Sequence, residues 1–327
     1  MRAPCVRVPA DEGEPTRRAL IEADLLDHGL EIEADGGWLY LPVTDAEAAA
    51  ERYHVEAREL EPRETQTLPE DLLDERPSYE RVGDVVLLHE DDRERAATIA
   101  EAVVASDLPV RTVLNRASEV RGTVRVRDWD LLAGEGTETV HTEYGCEFAV
   151  DLAAAFFSAR LATERQRVVG QVEPGERAFD MFAGVGPFAV RLAAAGAEVV
   201  AVDVNPDAIA YLRENAERNG VADRVTAIEG DVREVVGDYV GWADRVVMNL
   251  PHSAGEFLGA ALTVAGDDCV LHYYDIQPEA DPYEAGEAAI RAAAGEAFEL
   301  AVLDRRVVRS YAPGQVNVCL DVRLRRR

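Results

Sequence analysis

Asp180-Met-Phe-Ala-Gly-Val-Gly-Pro-Phe188 decides the fold of this 327-residue chain. The apolar run Arg177–Phe182 leads into it and a helical pattern follows, so the segment reads as strand, glycine turn and helix. Gly184 and Gly186 lack a Cβ, and a backbone built from them comes close to a ligand. About 60 residues on, a second apolar run, Arg245-Val-Val-Met248, ends in Asn249-Leu-Pro-His252. Two polar loops therefore fall at the carboxyl ends of strands, the edge where open α/β sheets bind ligands.

The same alternation extends to the C-terminus. Predicted strands cover residues 177–182, 198–203, 225–229, 243–248, 269–274, 298–307 and 316–323, and a predicted helix covers 206–219. Alternating strand and helix implies a parallel sheet covered on both faces. Only the short segment 309–315 separates the last two strands, which must pair antiparallel. This is the α/β, Rossmann-like arrangement of class I methyltransferases: seven strands, mostly parallel.

Upstream, Cys5-Val-Arg-Val8 reads as a strand, Glu12 to His28 as a helix, and Leu30–Ile32 with Trp38–Val43 as a hairpin about Ala34-Asp-Gly-Gly37. From Glu56 to Tyr79 the chain is rich in Glu, Pro, Arg and Thr, which implies a linker. A further α+β module follows, with strands at 85–88, 112–114, 122–126, 137–142 and 146–151 and a helix at 91–105. The expected division is a small N-terminal α+β domain (1–62), a linker (63–78), a middle α+β domain (79–158) and the sheet domain (159–327).

The formal charge is −29, and all 34 cationic residues other than histidine are arginine. Such an acidic, lysine-free surface suits a protein hydrated in concentrated salt, as in a halophile; a GC-rich genome would also favour these residues. At molar salt the Debye length falls to roughly 3 Å, so net charge does not exclude an RNA partner whose phosphates meet local arginines. Cys5, Cys146, Cys269 and Cys319 are scattered, which disfavours disulfides and zinc. No signal-peptide pattern opens the chain and no apolar run approaches the ~18 residues of a membrane span. A cytoplasmic protein is expected. His141, His252 and His272 have no metal-ligand spacing, and no metal is expected.

The glycine loop also satisfies the G-x-G-x-x-G/A dinucleotide pattern, with Asp203 near the ribose position. Three features favour S-adenosylmethionine over a nicotinamide. Asp180 is placed to hold an amino acid's ammonium, whereas a pyrophosphate offers no cation. Asp231 follows the third strand, where it can accept from an adenine amino group. Asn249-Leu-Pro251 presents an amide and carbonyls to a planar nitrogenous target, with the proline stiffening the loop. Read separately, Asp203 could be a helix N-cap and the Asn-Leu-Pro loop a simple turn.

His141-Thr-Glu-Tyr-Gly-Cys-Glu-Phe-Ala-Val-Asp151, Phe156-Phe-Ser-Ala-Arg-Leu-Ala-Thr-Glu-Arg165, Asp180–Phe188 and Asn249–Phe257 resemble, in order, signatures of the Trm5 family. These are archaeal and eukaryotic tRNA (guanine-N1)-methyltransferases acting on guanosine 37. The resemblance spans essentially the whole chain, and the segment Pro4–Val8 resembles the N-terminal domain of the archaeal subtype that senses the tRNA outer corner. Ala159 stands where the family usually has proline, and Phe156 where tyrosine is common.

The resemblance implies a monomer that moves a methyl group from S-adenosylmethionine to tRNA, with no obligate protein partner. Glu164 is implied as the base removing the N1 proton. An arginine in Thr123-Val-Arg-Val-Arg127, Arg125 or else Arg127, would stabilise charge on O6, and Asn249 would hold the guanine edge. Around the cofactor the implied set is Phe156, Arg160, Asp180, Phe182, Gly184, Gly186, Asp203, Asp231, Asn249 and Pro251, Arg160 also lying near a phosphate. Glu164 alone would read as a first-turn glutamate favoured by the helix dipole. The rival readings are a wyosine-pathway paralogue working at position 37 and a non-catalytic RNA-binding protein.

Overall fold

The computed structural model describes residues 1–63, 66–118, 122 and 126–327. The chain divides into two compact units, Met1–Leu72 with Ser106–Leu108, and Leu73–Ala105 with Pro109–Arg327.

The larger unit contains the expected seven-stranded sheet. Its strands are β1 (Arg177–Asp180), β2 (Glu198–Asp203), β3 (Val225–Glu229), β4 (Ala243–Met248), β5 (Ala265–Pro278), β6 (Phe298–Ala312) and β7 (Gln315–Arg326). Their order is β3-β2-β1-β4-β5-β7-β6. Neighbours are parallel from β3 to β5, and β7 lies antiparallel between β5 and β6. Successive residues feed opposite faces. Ala178, Val199, Ala201 and Val247 join one core, while Phe179, Val200, Val202 and Val246 join the other. A parallel sheet buried on both faces needs such nearly continuous apolar strands.

β1 stops at Asp180 because the glycine turn begins there. β6 and β7 are longer than expected: the segment 309–315 is mostly strand, and Pro313-Gly314 alone turns the chain, with Gly314 at φ +72°. β6 is an edge strand whose register shifts at three places and whose exposed positions include Arg305 and Arg306, features that discourage pairing with other chains. Arg323 and Arg325 pair with Asp268, and Arg326 with Asp267, so the C-terminal arginines belong to the sheet rather than to a frayed tail.

Upstream in this unit, Tyr79–Val82, Val85–Leu88, Thr112–Arg116 and Trp129–Ala133 form a four-stranded sheet beneath helix Arg93–Ala105. The first and last of these strands were not foreseen, and the expected 122–126 strand falls largely outside the described residues. The hairpin Glu138–Glu143/Cys146–Asp151 docks on helix Pro206–Arg218 through two asparagines. Buried Asn215 takes the Ala149 N–H and donates to the Ala149 and Val185 carbonyls; Asn219 brackets Glu147 likewise. Asn215 therefore ties the hairpin to the glycine loop.

In the smaller unit, strands Glu33–Asp35, Trp38–Pro42, Arg2–Pro9 and Val55–Glu59 form a sheet in that order, with helices Gly13–Glu22 and Ala46–Ala50. The first helix ends at Glu22, six residues earlier than expected, and Asp24 takes φ +55° just beyond it. The first hairpin strand sits at Glu33–Asp35 instead of Leu30–Ile32. Val55–Glu59, partly read as linker, pairs with Arg2–Val6. Among the described residues no helix is long and apolar enough to cross a membrane.

Candidate active site

The glycine loop is held from both sides. At the end of β2, Asp203 accepts the Gly184 N–H at 2.7 Å and the Asn205 N–H at 2.9 Å. Asn205, not Asp203, caps the following helix, accepting from Asp207 N. Gly184 is at φ +54°, a conformation that side chains rarely tolerate, and Gly186 is at φ +89°. A Cβ on Gly186 would lie 2.2 Å from Leu212 Cδ1, so this glycine also permits helix packing.

Asp180 is 1% exposed, and both carboxylate oxygens lack a hydrogen-bond partner among the described residues. Burial raises its pKa to about 7; the Phe182 and Ala189 amides favour the anion without full hydrogen-bond geometry, and Asp203 opposes it. Two orphaned oxygens at a strand end call for a cation. An amino acid's ammonium meets that need, so the residues fit the amino-acid end of S-adenosylmethionine.

Asp231 and Phe182 line a neighbouring region. Asp231 caps helix Val232–Val235 and pairs with Arg233 at 2.5 Å, which holds its carboxyl below the usual range. It therefore has an internal cation as well as its expected adenine role. Arg233 lies over the Phe257 ring, and Phe257 meets Phe182 edge-on at 5.0 Å between centroids. Half-buried Asn249 and Pro251 begin the loop after β4. The loop is tied to β6 where Tyr311 Oη and His252 Nε2 lie 3.1 Å apart.

Glu164 is buried on helix Ala162–Val169. Arg167 donates to both of its oxygens, at 2.7 and 2.9 Å, and the Tyr274 hydroxyl donates to Oε1 at 2.9 Å. Phe156 is exposed, and its carbonyl lies 3.7 Å from where a Gly184 Cβ would stand. Arg160 pairs with Glu80 at 2.9 Å, so a phosphate would have to compete with that carboxylate. Arg125 lies outside the described residues; Arg127 sits over the Trp129 ring at 5.4 Å.

The sequence reading missed a buried ion cluster. Glu143, in the His-Thr-Glu-Tyr-Gly motif, accepts from Arg165 at 2.9 Å and from Arg191 at 2.7 Å, all three nearly fully buried. Arg165 also reaches the Ser158 carbonyl. The cluster binds the hairpin to the segment carrying Glu164 and to helix Ala189–Ala194. Burial opposes the Glu143 anion, but the two guanidiniums win and hold its pKa low. His272, Cys319 and Asp321 bring potential ligand atoms within 4.8 Å of one another. Arg245 contacts His272 at 2.7 Å and Arg167 contacts Asp321 at 2.5 Å, cations that disfavour a metal there.

A family model described as the TRM5/TYW2 methyltransferase domain matches residues 139–303. The tRNA methyltransferase 5 N-terminal domain matches 5–51, and a TYW2 N-terminal domain matches 65–137. The chain is similar to the Pyrococcus abyssi tRNA (guanine(37)-N(1))-methyltransferase Trm5b, 40% identical over 98% of each chain. A solved complex of aTrm5 with tRNALeu has a TM-score of 0.72 at 33% identity, covering 98% of this chain and 99% of that one. The Pyrococcus horikoshii tRNA(Phe) (4-demethylwyosine(37)-C(7)) aminocarboxypropyltransferase is 36% identical over 79% of this chain and 93% of its own length.

Proposed function

The chain belongs to the archaeal Trm5 family of tRNA methyltransferases, and from that premise we infer that it transfers a methyl group from S-adenosylmethionine to N1 of guanosine 37 in tRNA. The observation that carries this reading is the full-length likeness to a guanosine-37 N1-methyltransferase. The aminocarboxypropyl relative matches a smaller share of the chain.

Asp180 would hold the cofactor's ammonium, Gly184 would allow close approach of the loop, Asp203 would reach the ribose and Asp231 the adenine. Phe156, Arg160, Phe182, Gly186 and Pro251 complete the proposed surround. When bound, the cofactor supplies an electrophilic methyl on a sulfonium. Asn249 offers its side-chain amide to the guanine edge, and Glu164 removes the N1 proton as the new bond forms. Arg125 is proposed to stabilise O6. The target base must leave the stacked anticodon loop to reach these groups.

We assign residues 1–62 to tRNA recognition, 63–78 to a linker, 79–158 to an RNA-binding middle domain and 159–327 to catalysis. The composition favours work in the cytoplasm of a halophile. The test is methyl transfer at high salt from labelled cofactor to unmodified tRNA transcripts carrying guanosine or adenosine at position 37. Label recovered as N1-methylguanosine from the first transcript alone supports the function. Label elsewhere, or none with cofactor bound, rejects it.

A further inference from the structure

Glu164 stands at one end of a buried polar chain that crosses three strands. Its carboxylate accepts from Tyr274 Oη on β5 and from Arg167 on its own helix. Arg167 is in turn held by Asp321 on β7, at 2.5 and 3.1 Å. Asp321 also accepts from Gln171 at 3.1 Å and contacts His272 Nδ1 at 2.7 Å. His272 leads to Arg245, which is paired with Glu176 at 2.8 Å. Cys319 Sγ lies 3.5 Å from Arg167 Nη2, and Asp304 on β6 lies 3.8 Å from its Nη1.

A carboxylate has about four acceptor positions, two on each oxygen. Tyr274 and Arg167 Nη2 take both on Oε1, and Arg167 Nε takes one on Oε2. One position on Oε2 is left. We propose that Tyr274 and Arg167, the latter anchored by Asp321, are positioning residues that aim this single open site of Glu164 at the guanine N1–H. The proposal rests on Glu164 being the base.

The step balances. The N1–H proton passes to Glu164 Oε2, the electron pair it leaves forms the N1–methyl bond, and the S–methyl bond breaks with its electrons to sulfur. Glu164 ends neutral and returns its proton to water. Arg167 remains charged throughout: burial opposes its charge, but the hydrogen bonds it donates to Glu164 and Asp321 raise its pKa. Because Asp321 holds it independently, Arg167 does not move when Glu164 takes the proton.

The test is single-turnover methyl transfer against pH, with tRNA and cofactor saturating, for wild type, Tyr274→Phe, Asp321→Asn and Glu164→Gln. Tyr274→Phe keeps the ring and removes one donor to the anion. It should lower the rate roughly 10- to 100-fold, the scale of a small misplacement of a reacting group. It should also move the acid limb of the profile to higher pH, since a lost hydrogen bond disfavours the charged form. KM for tRNA and cofactor should stay unchanged. Asp321→Asn should lower the rate in the same range. If both variants melt as wild type and keep its rate and profile while Glu164→Gln is slow, the positioning role is wrong and the base role stands. A Glu164→Gln variant with the wild-type rate overturns both.

Discussion

Glu143 and Arg191, 48 residues apart, meet at 2.7 Å with side chains 2% and 3% exposed. Together with Arg165 they join the motif around residue 143 to the helix that carries Glu164. Removing one partner of a buried ion pair leaves uncompensated charge, which destabilises by ~3–5 kcal/mol. Glu143→Gln should therefore lower denaturant stability by about that amount and slow methyl transfer by loosening the Glu164 helix. The sign with pH follows from the depressed Glu143 pKa. Its stabilisation is fully present above the ordinary glutamate value, ~4.3, and is lost as pH falls through the lower folded-state value. Acid unfolding curves of wild type and Glu143→Gln should converge at low pH.

Asp180 has the opposite sign. With its folded pKa raised to about 7, the folded state binds the proton more tightly than the unfolded chain does. Stability without cofactor should fall as pH rises from about 4 towards 7. Asp180→Asn should stabilise the free protein above that window, by up to the order of 4 kcal/mol at ~1.4 kcal/mol per pH unit. The same variant should lose cofactor affinity, and wild-type affinity should weaken below pH 7 as the carboxyl protonates. Calorimetric titration with S-adenosylmethionine across that range checks this; pH-independent binding would contradict the ammonium assignment.

Gly186→Ala places a Cβ 2.2 Å from Leu212 Cδ1 at a positive φ. Overpacking alone destabilises by ~1–3 kcal/mol, and the backbone strain adds to it. Thermal melting should show the loss, with cofactor affinity reduced because the loop shifts. Gly237, by contrast, has open space around its Cβ position and no positive φ. Gly237→Ala should leave stability within about 0.5 kcal/mol of wild type.

Salt decides stability through net charge. At −29, like charges repel their neighbours over ~10 Å at 0.1 M salt, and this repulsion is cut to ~3 Å at 1 M. Exposed ion pairs such as Arg17–Glu14 weaken over the same range, but each contributes only ~0–1 kcal/mol. Repulsion wins, and Tm should rise between 0.1 and 1 M potassium chloride. A flat or falling Tm would remove the physical basis for a halophilic setting.

The sheet was legible in the sequence because its parallel strands are apolar on both faces and its glycine loop is local. What escaped depends on distant partners. The role of Glu143 requires Arg165 and Arg191, 22 and 48 residues away. The setting of Glu164 requires Asp321, 154 residues beyond Arg167. The last residues of β6, Val308–Ala312, escaped because Arg309, Ser310 and the following Pro313-Gly314 read locally as a turn. The N-cap role of Asp231 was available locally, since Arg233 two residues later supplies both the capped N–H and the paired guanidinium.

The most direct test of the central claim is the single-turnover rate of Glu164→Gln on tRNA with guanosine at position 37, at saturating cofactor. General-base catalysis contributes ~10²–10⁴-fold. The rate should fall at least 100-fold with tRNA and cofactor affinities unchanged. A rate within a few-fold of wild type would show that another group removes the N1 proton.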